Sequence, residues 1–386
     1  MKQATEIMHR AQGVNENAAP LTTPIYETAT FVFESAADVQ RYNEGKSQKF
    51  LYSRYENPTV TDVERRLALL EGAEAALVCS SGQAATTTAL LALSAAGDEI
   101  VCSSAVYGGT FHLLSELLPK FGVVSRFVSL EELRHPETVI SDRTRLVWFE
   151  SPINPTLRCV DIAAVARACR SRRVLCVMDN TFASPINQQP MAVGVDVVMH
   201  SATKYLNGHS DVTAGVLAGP QRLIDEMLTV RKRIGAVLDP YAAYALGRGL
   251  KTLQVRVERQ NATAMAVARF LAGDTRVTQV FYPGLERHPD HEIARRQMRG
   301  FGGMVCLDVG GGYDRAARFF DRLRVFHRAA SLGGVESLCS LPVLTSQWGH
   351  SEEELARAGV THSMARLSIG LEDPEDLIAD LDQALG

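Results

Sequence analysis

One lysine and one aspartate, each placed beside an apolar run, are the residues of this sequence best suited to chemistry. Lys204 follows the apolar run 195–199, with the hydroxyl residues Ser201 and Thr203 just before it. Asp179 ends a second apolar run further upstream. Since such runs predict buried strands, the amine and the carboxylate should both lie at strand ends. Pyridoxal phosphate needs these two groups, a lysine for the Schiff base and a carboxylate that keeps the pyridine nitrogen protonated.

An anion-binding site for this cofactor is predicted at residues 80–84, Ser-Ser-Gly-Gln-Ala. A strand ends there, Gly82 lets the backbone come close, and an alanine-rich helix begins. The free N–H groups and the dipole at a helix start favour an anion. Gly82 and Gln83 are therefore candidate phosphate contacts, and Ser201 and Thr203 can add hydroxyl donors. An ordinary helix cap is the alternative interpretation of the serine and glycine.

Further candidate contacts follow other predicted strands. Tyr107 comes after the strand at 99–103 and offers an aromatic face for a flat ring. Asn154 comes just after the strand that ends at Glu150, and ligands of open α/β sheets collect at such carboxyl ends. Arg366 can hold a carboxylate with its forked guanidinium. Taken alone, Tyr107 is better explained as a core tyrosine beside a turn, and Arg366 as a solvated surface charge.

Strand-like and helical patterns alternate between about residues 73 and 219, which indicates an α/β domain. Most of the strand-like runs are continuously apolar, as in a parallel sheet covered on both faces. A helix after Asp161 has a capping residue followed by an alanine-rich run. The predicted strands are 76–80, 99–103, 123–128, 145–150, 174–179, 195–200 and 214–218.

The chain divides into three predicted parts, and its length suffices for two domains with separate cores. Residues 1–57 are predicted to form an extended arm, because their prolines prevent long helices. Residues 58–245 form the large cofactor-binding α/β domain. Residues 246–386 form a long linking helix and a small C-terminal domain.

Two helices of these parts can be placed in more detail. Residues 61–64, Thr-Asp-Val-Glu, have the pattern of a capping box, and Gly72 should end the helix that they begin. A second, long helical pattern begins after Pro240 and continues towards Leu271.

The composition of the 386-residue chain is that of a soluble globular protein, with 46% apolar and 22% charged residues. A net charge of −4 gives no reason to expect nucleic acid or an anionic membrane as a partner. Seven cysteines without a CxxC pair disfavour a disulfide framework and a zinc site, so no metal is expected. The first residues lack the apolar core of a secretory signal. These features predict a cytoplasmic enzyme.

In combination, these motifs resemble those of the pyridoxal-phosphate enzymes of cysteine and methionine metabolism. The family includes cystathionine γ-synthase, the cystathionine lyases, methionine γ-lyase and the O-acylhomoserine sulfhydrylases. The resemblance extends from residues 52–59 to residues 366–373. It implies a fold-type I, aminotransferase-like architecture, with a mostly parallel sheet in the large domain and a smaller α+β C-terminal domain. It also implies a homotetramer of two dimers with shared active sites.

The resemblance implies a role for each candidate residue. Lys204 would carry the cofactor and move protons, Asp179 would pair with the pyridine nitrogen, and Tyr107 would stack on the ring. The phosphate contacts would be Gly82, Gln83, Ser201, Thr203 and, from the neighbouring subunit, Tyr52 and Arg54. The substrate contacts would be Arg366, Ser331, Asn154 and Tyr52.

Three positions bear on the substrate. Cystathionine-handling members typically have an arginine where this chain has His112, and many have a glutamate in place of Ala330. Both changes remove polar contacts to a long, doubly zwitterionic substrate. Gly109 argues in the opposite direction, because methionine γ-lyases commonly have a cysteine there.

The predicted reaction is α,γ-elimination from a sulfur amino acid such as methionine, homocysteine or cystathionine. Its products would be a 2-oxo acid, ammonia and a thiol. The alternative is γ-replacement on an O-acylhomoserine, as in a cystathionine γ-synthase or sulfhydrylase.

Two other classes of protein are disfavoured. Residues 201–204 match the SxxK motif of penicillin-binding serine hydrolases, but the downstream motifs that those enzymes need are missing from the sequence. A non-catalytic binding module would have no need of Lys204 or Asp179.

Overall fold

The computed structural model describes residue 5 and residues 20–386, so part of the predicted arm lies outside the described residues. Within this range, seven strands form one sheet in the order β1-β7-β6-β5-β4-β2-β3. The strands are β1 (Ala75–Cys79), β2 (Glu99–Ser103), β3 (Val124–Val128), β4 (Thr144–Glu150), β5 (Leu175–Asp179), β6 (Val197–Ser201) and β7 (Gly215–Gly219).

The pairing in this sheet is mostly parallel, as predicted. Only β7 runs antiparallel to its neighbours β1 and β6, and the other pairs are parallel in the described part of the chain. Each of the seven predicted strands is present, with ends that differ by at most two residues. Differences of this size are usual where hydrogen bonds at strand and helix ends fray.

Both faces of the large sheet are buried, which explains the continuous apolar runs. On β4, Leu146 and Trp148 face a core shared with the helices Gly82–Leu93 and Gln221–Ile234. The alternate residues Val147 and Phe149 face a second core that includes the helix Ile162–Arg172. The helix Pro58–Glu71 covers the β1 and β7 region of that second side, together with the helix Pro240–Leu250.

Two helix predictions need correction. The predicted capping box at residues 61–64 is wrong, because the helix begins one turn earlier, at Pro58. The Asn57 side chain caps this helix by accepting a hydrogen bond from the N–H of Thr59. Gly72 does end this helix, in a left-handed conformation. The long pattern after Pro240 is two helices, Pro240–Leu250 and Leu253–Gly273.

A second sheet lies in the C-terminal part of the chain. Its strands, in the order β10-β11-β12-β9-β8, are β8 (Gln279–Phe281), β9 (Met304–Asp308), β10 (His327–Arg328), β11 (Leu338–Ser340) and β12 (Met364–Ser368). Its core is shared with the long helix Leu253–Gly273 and with the helices Gly312–Arg322 and Pro374–Leu385. This arrangement makes the C-terminal part an α+β unit.

Shorter helices complete the described chain. They are Ala36–Asn43 in the arm, Gly108–His112, Pro136–Val139, Ser184–Asn187, His291–Gln297 and Glu352–Ala358. None of the helices that the structure describes has the length and apolarity needed to cross a membrane.

Candidate active site

A cavity of about 740 Å³ lies at the carboxyl ends of β4, β5 and β6. Glu150 and Asp179 pair in register at the ends of β4 and β5, so both side chains reach the same edge of the sheet. The C-terminal part of the chain closes the cavity with Arg366 and with residues 330–332 and 344–350. Ten of the predicted residues line it: Gly82, Gln83, Tyr107, Asn154, Asp179, Ser201, Thr203, Lys204, Ser331 and Arg366.

The Lys204 amine lies at the centre of this arrangement. Its Nζ donates to the Ser331 hydroxyl over 2.8 Å. Burial, followed by the nearby Arg366 guanidinium, lowers the pKa of Lys204 to about 8. The amine is therefore partly neutral near pH 7, which is the form that can act as a nucleophile or a base.

Ser331 reaches Lys204 because the backbone turns sharply just after it. Gly333 has a φ of 74°, and a Cβ at this position would lie 2.7 Å from the backbone nitrogen of Tyr205. A glycine is required at such a position, since any side chain would be strained and would collide with the residue after Lys204.

Hydrogen bonds from Thr181, two residues further along the chain, hold the Asp179 carboxylate. Its Oδ1 accepts from the Thr181 N–H over 2.9 Å and from the Thr181 hydroxyl over 2.5 Å. The same hydroxyl accepts from the Ser201 N–H over 2.8 Å, which ties the ends of β5 and β6 together. Burial raises the pKa of Asp179, while the two hydrogen bonds from Thr181 oppose that rise.

Glu150, which the sequence placed only as a strand end, is a second carboxyl group in the cavity. It accepts from the backbone N–H of Tyr107 over 3.1 Å and of Asn154 over 3.4 Å. Burial and then the negative charge of Asp179 raise the pKa of Glu150 to about 8. Glu150 therefore orients two predicted site residues while adding little negative charge at neutral pH.

The predicted anion site lies at the start of a helix. The helix Gly82–Leu93 opens on the cavity, and the Ser81 side chain caps it at the N–H of Ala84. A Cβ on Gly82 would lie 2.9 Å from the Ser201 side chain, so only glycine allows the helix start to pack this closely against β6. The Thr203 hydroxyl already exchanges hydrogen bonds with the backbone of Ala214, over 3.0 and 3.3 Å.

Arg366 is positioned to receive an anion. It is buried, its Nη1 donates to Asn154 Oδ1 over 2.8 Å, and its Nη2 donates to the Ser331 carbonyl over 3.1 Å. Its Nε has no hydrogen-bond partner among the described residues. An unpaired buried donor on a cation is costly, so a carboxylate at this point would stabilise the site.

Two predicted residues lie elsewhere. Neither Tyr52 nor Arg54 is among the residues that line the cavity of their own chain. The Arg54 guanidinium donates to the Lys232 carbonyl over 2.6 Å and stacks on Tyr52 and Tyr55, at 5.5 and 4.8 Å from their ring centroids. A role for these residues in a neighbouring subunit stays a prediction.

Glu150, Thr181 and Trp348 are among the cavity residues to which the sequence assigned no role. Glu150 can be recognised in the sequence as a charged residue that ends an apolar run. Thr181 can be recognised as a hydroxyl residue two positions after Asp179. Trp348 lines the cavity while 72% of its surface is exposed. No periodic pattern distinguishes its segment, so the sequence contains no signal for it.

The cavity fits pyridoxal phosphate. A helix start and the Ser201 side chain face the place for an anion, and the exposed Tyr107 ring offers a flat apolar surface beside it. An amine with a lowered pKa and a carboxylate at a strand end supply the two groups that the aldehyde and the pyridine nitrogen need.

The fold and this site define a pyridoxal-phosphate enzyme of the aminotransferase-like class. The chain belongs to the Cys/Met metabolism PLP-dependent enzyme family, whose model matches residues 4–386. Pyridoxal 5'-phosphate is therefore its cofactor, and its chemistry is that of a lyase or transferase of sulfur amino acid metabolism.

Particular relatives cover nearly all of this chain. It is 41% identical over 366 residues to cystathionine gamma-synthase 1 (chloroplastic) of Arabidopsis thaliana, a match that covers 95% of this chain and 65% of that protein. It is 40% identical over 384 residues to the L-methionine gamma-lyase of Pseudomonas putida, covering 99% and 96%.

A solved structure gives the same class. The crystal structure named as an O-acetylhomoserine (thiol)-lyase of Campylobacter jejuni superposes with a TM-score of 0.95 and 31% identity, covering 100% of both chains. That structure carries a pyridoxyl phosphate joined to a lysine.

Proposed function

We propose that this protein cleaves the carbon–sulfur bond of sulfur amino acids by α,γ-elimination, releasing a 2-oxo acid, ammonia and a thiol. The observation that carries the proposal is the charge distribution of the cavity. Among the described residues that line it, the lysines and arginines are Lys204 and Arg366. A substrate with a single carboxylate and an apolar tail, such as methionine, matches this set.

The region around His112 and Ala330 supports the same proposal. The His112 imidazole contacts the Glu116 carboxylate over 2.8 Å, so its hydrogen-bonding capacity is partly used. The exposed side chains of Leu344 and Trp348 add apolar surface to the cavity. Among the described lining residues, no lysine or arginine besides Lys204 and Arg366 is available to pair with a second, distal carboxylate.

We assign the cofactor contacts as follows. Lys204 would bind the aldehyde carbon, Asp179 would pair with the pyridine nitrogen and Tyr107 would stack on the ring face. The phosphate contacts are Gly82, Gln83, Ser201 and Thr203, completed by Tyr52 and Arg54 of the neighbouring subunit.

The bound cofactor supplies an electron sink for the electrons left when C–H bonds of the attached amino acid break. Lys204, once free, removes the α-proton and moves protons along the substrate, because a pKa near 8 leaves part of the amine neutral. Arg366 binds the α-carboxylate through its fork, with Asn154 and Ser331 fixing the orientation of the guanidinium. This anchoring holds the α-carbon within reach of the lysine.

A second candidate function is γ-replacement on an O-acylhomoserine. Gly109 favours it, because a Cβ there would lie 2.6 Å from both Gln83 Oε1 and Tyr107 Cε1. The cysteine that methionine γ-lyases commonly have at this position does not fit unless both neighbours move. The match to the Arabidopsis cystathionine gamma-synthase also supports this candidate.

We further propose a homotetramer with active sites shared between paired subunits, and a cytoplasmic location. The shared site follows from Tyr52 and Arg54, which lie outside the cavity of their own chain. The cytoplasmic location is supported by seven free, buried cysteines, a usage typical of a reducing compartment.

Steady-state kinetics on the holoenzyme test the lyase proposal. The cavity predicts a higher kcat/KM for elimination from methionine than from cystathionine. An Ala330→Glu variant should narrow that difference, since it restores a polar contact for the longer substrate. A wild-type preference for cystathionine would contradict the proposed substrate class.

A further inference from the structure

A polar cluster lies behind the cavity, on the side of β5 and β6 that packs against the helix Pro58–Glu71. The Glu71 carboxylate and the His200 imidazole are in contact over 2.5 Å, and both side chains are 2% exposed. Asn180 donates to the same Glu71 oxygen over 3.3 Å and to the Gln188 carbonyl over 3.0 Å. Gln188 in turn donates to Asn180 Oδ1 over 2.9 Å.

This cluster is costly for a purely structural feature. Glu71 Oε2 has no hydrogen-bond partner among the described residues. A buried carboxylate with an unsatisfied oxygen is stabilised mainly by a cation in direct contact, and the imidazolium form of His200 would be that cation. An apolar pair of similar volume would hold the helix against the strands at lower cost.

The members of the cluster adjoin Asp179 along the chain and across the sheet. Asn180 follows Asp179 directly and donates its backbone N–H to the Met199 carbonyl over 2.9 Å. Met199 pairs with Asp179 in register, and His200 is the next residue. Any movement of Asn180 or His200 would therefore move the strand ends that place Asp179.

The surroundings of Asp179 shift its pKa in opposite directions. Towards the cavity, the Glu150 carboxyl and the hydrogen bonds from Thr181 face it. Burial raises the pKa of Asp179, and the Thr181 hydrogen bonds and then the charge of His200 lower it. Glu71 is the acidic group in contact with His200, and neither residue lines the cavity.

On the basis of the proposed pairing of Asp179 with the pyridine nitrogen, we propose that Glu71 and His200 form a buried ion pair that positions Asp179 for that nitrogen. Neither residue lines the cavity, so both are positioning residues. The pair would set how strongly the protein favours the protonated ring, and with it the strength of cofactor binding.

The test compares two cofactors on the apoprotein, pyridoxal phosphate and its deaza analogue, in which carbon replaces the ring nitrogen. His200→Gln removes the charge but keeps a nitrogen that can reach Glu71. We expect it to raise the dissociation constant of pyridoxal phosphate about tenfold, the order expected when a charged hydrogen-bond partner is lost. For the deaza analogue, which has no ring nitrogen for Asp179 to pair with, the variant and the wild type should differ by less than about twofold.

Glu71→Gln is the second variant, because it preserves shape while removing the counter-charge of the imidazolium. The same selective loss of pyridoxal phosphate affinity is expected for it. Asp380→Asn serves as the control, because Asp380 is buried in the C-terminal unit and accepts from the backbone N–H groups of residues 324–326. It should lower thermal stability without changing either dissociation constant.

Two results would overturn the proposal. An equal loss of affinity for both cofactors in the His200 and Glu71 variants would mean that the pair only maintains the shape of the site. An unchanged affinity for pyridoxal phosphate would mean that the pair has no influence on Asp179.

Discussion

At the scale of single residues, the chemistry of the cavity depends on two groups whose pKa values move in opposite directions. Burial lowers the pKa of Lys204 to about 8 because its charged form is the cation. Burial raises the pKa of Glu150 to about 8 because its charged form is the anion. Both groups are therefore mostly in their protonated forms at pH 7, and both change charge slightly above it.

The first prediction concerns the pH dependence of cofactor uptake by the apoprotein. Only the neutral Lys204 amine can attack the cofactor aldehyde. The uptake rate should therefore rise about tenfold per pH unit below 8 and become nearly constant above it. Stopped-flow absorbance of the cofactor between pH 6 and 10 measures this rate.

A rate that keeps rising up to pH 10 would show an ordinary lysine pKa and contradict the account. Lys204→Ala is the control and should show no covalent absorbance change at any pH.

The second prediction concerns stability. Because the pKa of Glu150 is raised in the folded state, the folded chain retains a proton that the unfolded chain loses between about pH 4.5 and 8. Stability should thus fall as the pH rises through this window, by at most about 1.4 kcal/mol per pH unit. Glu150→Gln should remove this part of the pH dependence, as measured by urea unfolding of the apoprotein at pH 5.5 and 7.5.

The exposed Glu286 provides a matched control for this measurement. Glu286→Gln should leave the pH dependence of the wild type unchanged. If Glu150→Gln behaved in the same way, the raised pKa of Glu150 would be refuted.

Much of the candidate site could be predicted at this scale, because lysine, aspartate and glycine beside apolar runs have few other uses in combination. Ten predicted residues share one cavity. Glu150 was missed because its function depends on backbone N–H groups of Tyr107 and Asn154, which only the folded chain brings to it. Trp348 was missed because a loop residue carries no periodic signal.

At the scale of elements, the long helix Leu253–Gly273 supports the segment that carries Lys204. Arg256 on this helix is buried and donates to the carbonyl of Tyr205 over 2.8 Å, of Leu206 over 3.4 Å and of Gly249 over 2.9 Å. Burial lowers the pKa of Arg256 to about 10. One guanidinium therefore satisfies the backbone that immediately follows the reactive lysine.

The third prediction follows from these contacts. Arg256→Met should lower the free energy of unfolding by about 3 kcal/mol, since buried carbonyls lose charged donors. It should also weaken cofactor retention, because the Lys204 segment is no longer held. Chemical denaturation and dialysis against buffer without cofactor measure the two effects.

Arg259 on the same helix is exposed and provides the control. Its guanidinium donates only a long, 3.4 Å bond to the Glu372 carbonyl. Arg259→Met should change stability by less than about 0.5 kcal/mol. Equal effects of the two variants would contradict the supporting role of Arg256.

The elements themselves were predictable where one physical signal dominated. Strand positions followed from apolar runs, since both faces of the sheet are buried. The helix start at residues 61–64 was misplaced because Asn57 and Pro58 form a stronger start than the capping-box pattern. Residues 251–252 separate the two helices after Pro240. The sequence on both sides of this break stays apolar on one helical face, so periodicity alone does not show that the helix is interrupted.

At the scale of the whole molecule, Tyr52 and Arg54 raise the question of what completes the active site. They lie beside Lys232 and Tyr55, outside the cavity of their own chain. In the proposed assembly they would reach the phosphate of a paired subunit. Each active site would then need residues from both subunits of a pair.

The fourth prediction tests this sharing by complementation. Lys204→Ala and Arg54→Ala chains should each be nearly inactive alone. Co-expressed in equal amounts, they should recover about a quarter of wild-type activity, because half of the pairs are mixed and each mixed pair has one intact site. Mixed assemblies without recovered activity would show that each site belongs to a single chain.

Product analysis by mass spectrometry shows whether the protein eliminates at a carbon–sulfur bond. The purified holoenzyme is given methionine in one reaction, and O-acetylhomoserine with cysteine in another. We predict that methionine gives 2-oxobutanoate, ammonia and methanethiol faster than the second reaction gives any thioether. A new thioether formed faster than any 2-oxo acid would contradict the account and establish γ-replacement as the function.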